Sequence, residues 1–103
     1  MILQHPRLAW DGARVIVRAL DSEPLFTWLY NRLGQLVGPG YQQALSDSWN
    51  RLWWTERMDA AHAEAGLWRA RLADLLQSRP ELAEPLQELI YEARARLTDQ
   101  PAA

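Results

Sequence analysis

Residues 41–78 read YQQALSDSWNRLWWTERMDAAHAEAGLWRARLADLLQS, and this stretch decides the fold. It contains no proline, and its only glycine is Gly66, so it lacks a strong helix stop over most of its length. Apolar residues recur three or four positions apart in two rows, which are Tyr41, Leu45, Trp49 and Leu52, and then Trp54, Met58, Ala61, Ala65, Trp68, Leu72 and Leu75. This spacing is typical of helices that bury one face, so it predicts helix across 41–78.

Two interpretations of this stretch are open. A continuous helix over 41–78 would be about 57 Å long, with two shorter helices laid end to end along it, and the change of register between the two rows fits two separate partners. Alternatively, the stretch breaks near 53–58 or at Gly66 and folds into a compact bundle, for which a radius of gyration near 13 Å is expected. We favour the continuous helix, because no residue between 41 and 65 is a recognisable stop.

A helix before this stretch is bounded by clear start and stop signals. The segment Asp21-Ser22-Glu23-Pro24 is typical of a helix start, with Asp21 or Ser22 as the N-cap. The segment Gly38-Pro39-Gly40 is a strong breaker and is typical of a turn. Together these signals predict a helix over 23–37.

The last helix is predicted over 80–98. Ser78-Arg79-Pro80-Glu81 matches a capping box, and leucines follow at helical spacing. Pro85 removes an early helical hydrogen bond, so the regular helix is expected to begin at Glu84 or Pro85, after a short capped turn.

Residues 1–20 allow a helix or a hairpin. Asp11-Gly12 is a typical two-residue hairpin turn, and Val15-Ile16-Val17 favours a strand. Against the hairpin, apolar residues at positions 13, 16, 17 and 20 have helical spacing, and Asp11 is a good N-cap. An isolated two-stranded hairpin is also only marginally stable. We therefore predict a helix over 12–20.

The fold predicted from these segments is all-α. It has about four helices, at 12–20, 23–37, 41–78 and 80–98, packed as an antiparallel helical bundle. The chain has 103 residues and a mass of 11.9 kDa, which is enough for one hydrophobic core. Residues 1–103 are therefore expected to form a single helical domain, with a frayed tail at 99–103.

The composition excludes several classes of protein. All 11 basic residues are arginine, and 13 acidic residues bring the net charge to −2, which lacks the basic footprint of a nucleic-acid binder. The absence of cysteine excludes disulfides and cysteine-based zinc sites. The longest uncharged apolar stretch, 24–30, is too short for a membrane span, and the first residues do not resemble a signal peptide. We expect a cytoplasmic protein with no nucleic-acid partner and no membrane span.

No motif for catalysis or cofactor binding is present in the sequence. Nucleotide-binding loops and the nucleophile elbow are missing. His62 follows Asp59 by three residues but lacks the further ligands that a metal site on facing helices needs. A run of glutamates along one side of the last helix is typical of a solvated surface paired with arginines; its members are Glu81, Glu84, Glu88 and Glu92. We predict no enzyme, no cofactor and no metal site.

Tryptophan is the unusual feature of the composition. The chain has 6 tryptophans and 1 phenylalanine. Trp49 and Trp53 are four residues apart and can stack on one face of a helix, whereas the adjacent Trp53 and Trp54 cannot both lie at the centre of one apolar face. The alternative to exposure of this cluster is burial by the first segment. We predict an interface through which the chain self-associates as a homodimer, formed by Trp49, Trp53, Trp54, Met58 and Trp68.

Several segments resemble a group of small, mostly uncharacterised Arg/Ala/Leu-rich helical proteins and modules of actinobacteria. They are Ala19-Leu20-Asp21, Trp28, Arg32-Leu33, Trp68-Arg69-Ala70-Arg71-Leu72, Leu75-Leu76 and Pro80-Glu81-Leu82. The similarity covers about residues 20–85 and consists mainly of helix periodicity. It implies an all-helical module in a regulatory or interaction setting, and it transfers no catalytic residue.

These features predict a non-enzymatic helical protein–protein interaction module or small regulatory adaptor. The module is expected to self-associate and to bind a protein partner whose identity the sequence does not contain. Two alternatives stay open. One is a small-molecule sensor that holds an apolar ligand in a tryptophan-lined pocket. The other is a transcription regulator or sigma-factor antagonist that acts by protein contact.

Overall fold

Helices account for almost all of the chain that the structure describes. The computed structural model describes residues 5–55 and 58–99, and within these ranges there is no strand. The elements in chain order are α1 (His5–Ala19), α2 (Glu23–Leu36), α3 (Pro39–Trp54), α4 (Ala60–Ser78), a 3₁₀ turn (Pro80–Leu82) and α5 (Ala83–Asp99). The all-α prediction is confirmed, but the described helices number five rather than four. The tail predicted at 99–103 lies outside the described residues, except for Asp99, which ends α5.

The first helix lies at the centre of the fold and packs against α2, α4 and α5. Its buried residues point to several sides; they are Leu8, Ala9, Ala13, Val15, Ile16, Val17 and Ala19. A methyl group added to Gly12 would lie 2.7 Å from Ile90 Cδ1 and 2.8 Å from Leu72 Cδ1, so both neighbouring helices approach α1 closely at this glycine.

The prediction for residues 12–20 is correct in type but begins too late. The helix runs through Asp11 and Gly12, so neither the N-cap at Asp11 nor the hairpin turn is present. Packing of α1 against α4 and α5, which approach it closely at Gly12 itself, outweighs the local turn preference of the Asp-Gly pair.

The turn between α2 and α3 lies at the predicted breaker. Gly38 has a φ of 120°, a conformation that favours glycine, and Pro39 is the first residue of α3. At the other end of α2, Ser22 occupies the N-cap position, as predicted.

The favoured prediction of one continuous helix over 41–78 is wrong, and the alternative break near 53–58 is correct. Helix α3 ends at Trp54, and Thr55 is extended, with φ −97° and ψ 145°. Helix α4 then begins at Ala60, with Asp59 at its N-cap position.

Three contacts show that α3 and α4 are antiparallel. The Tyr41 hydroxyl donates to the Arg71 carbonyl oxygen at 3.0 Å, near the start of α3. Further along α3, Ser48 contacts Trp68, and Arg51 at the end contacts Glu64. On a continuous helix Tyr41 and Arg71 would be about 45 Å apart.

Because the chain reverses direction at the break, the second apolar row packs against the core. In one continuous helix it would have extended away from the core along an exposed helix. Trp68, Leu72 and Leu75 are buried, whereas Trp54 and Met58 at the start of that row are exposed. The radius of gyration is 13.1 Å, which is the value expected of a compact chain of this length. Burial of the second half of the row therefore favours the break over helix continuity.

The chain after α4 follows the prediction closely, apart from its cap. A 3₁₀ turn over Pro80–Leu82 precedes α5, which begins at Ala83, one residue before the predicted start. Ser78 is the last residue of α4 and does not cap the next helix, so the capping-box prediction is wrong. Instead, Arg79 Nε donates to Glu81 Oε1 at 3.3 Å. None of the described helices is long and apolar enough to cross a membrane.

Candidate functional site

The end of α3 presents large apolar side chains to solvent. Trp53 is 67% exposed, Trp54 is 80% exposed, and Met58, just after the break, is fully exposed. These three residues and the half-buried Trp49 and Leu52 beside them form what we call the tryptophan surface. Two indoles of about 250 Å² each, exposed to this extent, leave about 350 Å² of apolar area. An apolar patch of this size on a monomer is often a functional site.

The exposed ring of Trp53 is supported by aromatic rings from inside the fold. The Trp49 and Trp53 rings stack at a centroid distance of 5.6 Å and an interplanar angle of 15°, which confirms the stacking predicted from their spacing. The Phe26 ring lies 5.8 Å from Trp49, and the Tyr30 ring lies 5.9 Å from Phe26. A row of aromatic rings thus runs from α2 to solvent and limits the conformations of Trp53.

Trp68 is separated from the other predicted interface residues. Its side chain is completely buried, and its Nε1 donates a hydrogen bond to Ser48 Oγ at 2.8 Å. A partner that binds the folded chain cannot reach this ring. We therefore leave Trp68 out of the tryptophan surface.

A hydrogen-bonded ion pair holds the two helices together beside the break. Arg51 Nε donates to Glu64 Oε2 at 2.8 Å, and Arg51 Nη2 donates to Glu64 Oε1 at 2.8 Å. Only 7% of the Glu64 side chain is exposed, so its charge needs this partner. The hydrogen bonds from Arg51 lower the pKa of Glu64 against the opposing effect of burial, and a hydrogen bond with Ser48 lowers it further. Glu64 is therefore ionised at neutral pH.

Two cavities flank Leu52. One has a volume of about 400 Å³ and is lined by Leu20, Asp21, Glu23, Trp49, Leu52 and Trp53. We call it the acidic cavity. The other has a volume of about 280 Å³ and is lined by Arg51, Leu52, Trp54, Thr55, Ala60, Ala63 and Glu64. The tryptophan surface is thus a ridge between two grooves, a shape that a partner's side chains can interlock with.

The glutamate run of α5 is a surface feature. Glu81, Glu84 and Glu88 are exposed, and Glu92 accepts from Arg32 Nη1 at 2.8 Å and from Arg96 Nη2 at 3.4 Å. Both arginines lower the pKa of Glu92, mainly through the hydrogen bond from Arg32. Glu92 and Arg96 are four residues apart, a favourable spacing for an ion pair on a helix.

The remaining candidates for chemistry do not assemble into a site. His62 is exposed on α4. Over residues 5–55 and 58–99, no group of three or more His, Cys, Asp or Glu side chains is arranged to hold a metal ion.

The acidic cavity was not predicted from the sequence. Its two carboxylates, Asp21 and Glu23, lie at the corner between α1 and α2, whereas its indoles lie on α3. No local spacing connects these segments, because only the tertiary fold brings them together. The sequence does contain a signal for a different feature, the tryptophans that are covered by arginine. Arg14 follows Trp10 by four residues, and Arg32 follows Trp28 by four residues. In both pairs the guanidinium lies over the indole ring.

Comparisons of this chain with protein-family models, curated proteins and solved structures found no match. The resemblance to actinobacterial helical proteins stays a prediction, and the geometry of the tryptophan surface is the basis of the function proposed next.

Proposed function

We propose that this chain is a non-enzymatic protein–protein interaction module that self-associates through the tryptophan surface. The exposure of the adjacent Trp53 and Trp54, the first of which stacks on the Trp49 ring, is the observation that supports this function most strongly. Exposed indoles are costly in water and are enriched among residues that dominate binding energy.

The area of the tryptophan surface sets the expected strength of association. A stable interface buries about 800 Å² on each partner, and the two indoles supply about half of that. The aromatic support of Trp53 reduces the ordering cost on binding. We therefore expect a reversible dimer with a dissociation constant in the micromolar range rather than an obligate one.

The decisive experiment compares the substitutions Trp53→Glu and Tyr91→Glu. Tyr91 is a similarly exposed aromatic residue, but it lies on α5. Light scattering or sedimentation, carried out from low to high micromolar concentration, should show a dimer for the wild type and for Tyr91→Glu and a monomer for Trp53→Glu. Circular dichroism should show the same helicity for all three proteins. A wild type that is monomeric at the highest concentration, or a dimer that Trp53→Glu leaves intact, contradicts the proposal.

The volume of the acidic cavity favours a second candidate function, a small-molecule sensor. About 400 Å³ lies within the range of ligand sites, and four of the six lining residues are apolar or aromatic. A panel of apolar ligands should then shift the fluorescence of the wild type. The same panel should have a smaller effect on Trp53→Phe, and no effect in either protein would exclude the sensor.

A further inference from the structure

The described lining of the acidic cavity places two carboxylates beside an aromatic wall. Among the described residues that line it, Asp21 and Glu23 bear carboxylates and none bears a positive charge. The other four are Leu20, Trp49, Leu52 and Trp53. Both acidic residues are exposed at the cavity rim. The chemistry of this lining is complementary to a cation on an apolar stem.

The helix ends around the cavity do not cancel this charge. The carboxyl end of α1 lies next to the amino end of α2, because the Ser22 N–H donates to the Ala19 carbonyl oxygen at 3.2 Å. The partial negative charge of one helix end therefore offsets the partial positive charge of the other. Arg18, in the last turn of α1, does not line the cavity. Within the described part of the chain, the charged groups that line the cavity are therefore the two carboxylates.

Another part of this molecule shows what an indole and a carboxylate bind when they are placed together. The Arg96 guanidinium lies 4.4 Å from the centroid of the Trp28 ring, and Arg96 Nη2 also donates to Glu92 Oε1 at 3.4 Å. Arg32 makes the same pair of contacts, at 5.5 Å from the Trp28 ring and 2.8 Å from Glu92 Oε2. Guanidinium groups thus bind at once to a ring face and to a carboxylate.

Two further tryptophans, Trp10 and Trp68, are covered in a related way. Arg14 and Arg69 lie 4.8 Å and 5.5 Å from the Trp10 ring, and Arg71 lies 5.2 Å from the Trp68 ring. Among the described residues no arginine lies over the ring of Trp53, which is stacked on Trp49 and open to the acidic cavity. Like the Trp28 site, the acidic cavity therefore combines an indole ring with carboxylates, but over residues 5–55 and 58–99 it has no guanidinium between them.

We propose that the acidic cavity binds a cationic side chain of the partner. The partner is a second copy of this chain, whose basic residues are all arginine, so the group is an arginine guanidinium, which lies against the Trp53 ring and is neutralised by Asp21 and Glu23. The aliphatic stem of that side chain packs on Leu20 and Leu52. The inference rests on the proposed function, because it names the group that the partner inserts beside the tryptophan surface.

The test uses N-acetyl-arginine N-methylamide as the probe and the corresponding citrulline derivative as its control. Citrulline has the same stem and nearly the same shape, but it is neutral. The indole N–H signals of ¹⁵N-labelled protein are followed by NMR, at a concentration at which light scattering shows the monomer and at constant ionic strength. Trp53→Phe identifies the Trp53 signal, and the signals of Trp10 and Trp28, whose rings are already covered, serve as internal references.

The expected result is a saturable shift of the Trp53 signal with the arginine probe and little shift with the citrulline probe. The double substitution Asp21→Asn and Glu23→Gln should weaken arginine binding about five-fold, since it removes two exposed carboxylates that each attract the cation modestly. Glu84→Gln, an exposed carboxylate on α5, should leave binding unchanged.

Two results would overturn this inference. Equal shifts with arginine and citrulline would show that charge is not recognised. Binding that survives the double substitution would show that the two carboxylates do not select the ligand. Neither result depends on the oligomeric state of the protein. A wild type that is always monomeric would refute the proposed function. The cation site would then be judged by the NMR titration alone.

Discussion

Trp68 Nε1 donates a 2.8 Å hydrogen bond to Ser48 Oγ, and both side chains are completely buried. The bond joins α3 to α4 at the middle of their antiparallel contact. Arg51 Nη2 also donates to Ser48 Oγ at 3.3 Å, and the same guanidinium is paired with Glu64. One small hydroxyl thus links an indole to an ion pair, and the chain reversal after Trp54 depends on these polar contacts as well as on apolar burial.

Ser48→Ala should destabilise the fold by about 1–3 kcal/mol, because it leaves the buried Trp68 N–H without an acceptor. Ser46→Ala, two residues away on the same helix and only half-buried, should change the free energy of unfolding by less than about 0.5 kcal/mol. Urea denaturation of the two variants makes the comparison. Equal stabilities would mean that the Trp68 bond contributes nothing net.

Acid should remove the stabilisation that Glu64 provides. Its pKa in the folded protein is lowered by Arg51, so this stability is fully present above the unfolded value of about 4.3 and is lost as the pH falls through the folded pKa. Glu64→Gln should therefore be less stable than the wild type at pH 7 and show a smaller loss between about pH 5 and pH 2. Some acid sensitivity remains, because the pKa of Glu92 is also lowered.

Thermal denaturation at several pH values measures this difference. Glu84→Gln, an exposed residue on α5, is the control and should retain the slope of the wild type. If Glu64→Gln also retains that slope, the ion pair with Arg51 does not stabilise the folded state.

Gly38→Ala should destabilise the protein by about 1–3 kcal/mol, because φ of 120° is strained for a residue with a side chain. Gly40→Ala is the matched control in the same turn, since a methyl group there meets no atom within 4 Å and the φ is ordinary. Chemical denaturation should rank Gly40→Ala at or above the wild type and Gly38→Ala below it. The reverse order would contradict the conformation of Gly38.

Substitution of two glycines within helices should change the stability of the protein in opposite directions. Gly12→Val should destabilise by about 1–3 kcal/mol, because Ile90 and Leu72 already occupy the space that the side chain needs. Gly66→Ala should stabilise by about 0.5–1 kcal/mol, since its methyl group meets nothing within 4 Å and alanine favours helix. Melting temperatures suffice to compare them, and a stable Gly12→Val would show that α1 is packed more loosely than described.

The apolar spacing was sufficient to predict helices but not where α3 ends. The alternation of three and four continues from Trp54 through Met58 to Leu75 without interruption, and Thr55 is not a strong helix breaker. The break is decided by contacts between residues far apart in sequence, such as Arg51 with Glu64 and Tyr41 with Arg71. Local patterns contain no information about such pairs.

The candidate site was also predicted only in part, because local patterns do not show which distant segments meet in the fold. Adjacency of Trp53 and Trp54 already implied that both cannot be buried on one face, and both are exposed. Trp68 belongs to the same apolar row as Trp54, so spacing alone could not separate a core residue from a surface one. Asp21 joins the cavity only because the corner between α1 and α2 packs beside α3.

The central position of α1 has a consequence for biosynthesis. Helix α1 emerges from the ribosome before its main partners, because α4 begins only at Ala60 and α5 at Ala83. At about 5–20 residues per second, its apolar sides stay uncovered for several seconds while the rest of the chain is translated. The contacts that cover it close long loops, which slows folding relative to a bundle of sequential neighbours. During that interval α1 is the segment that a nascent-chain chaperone would bind.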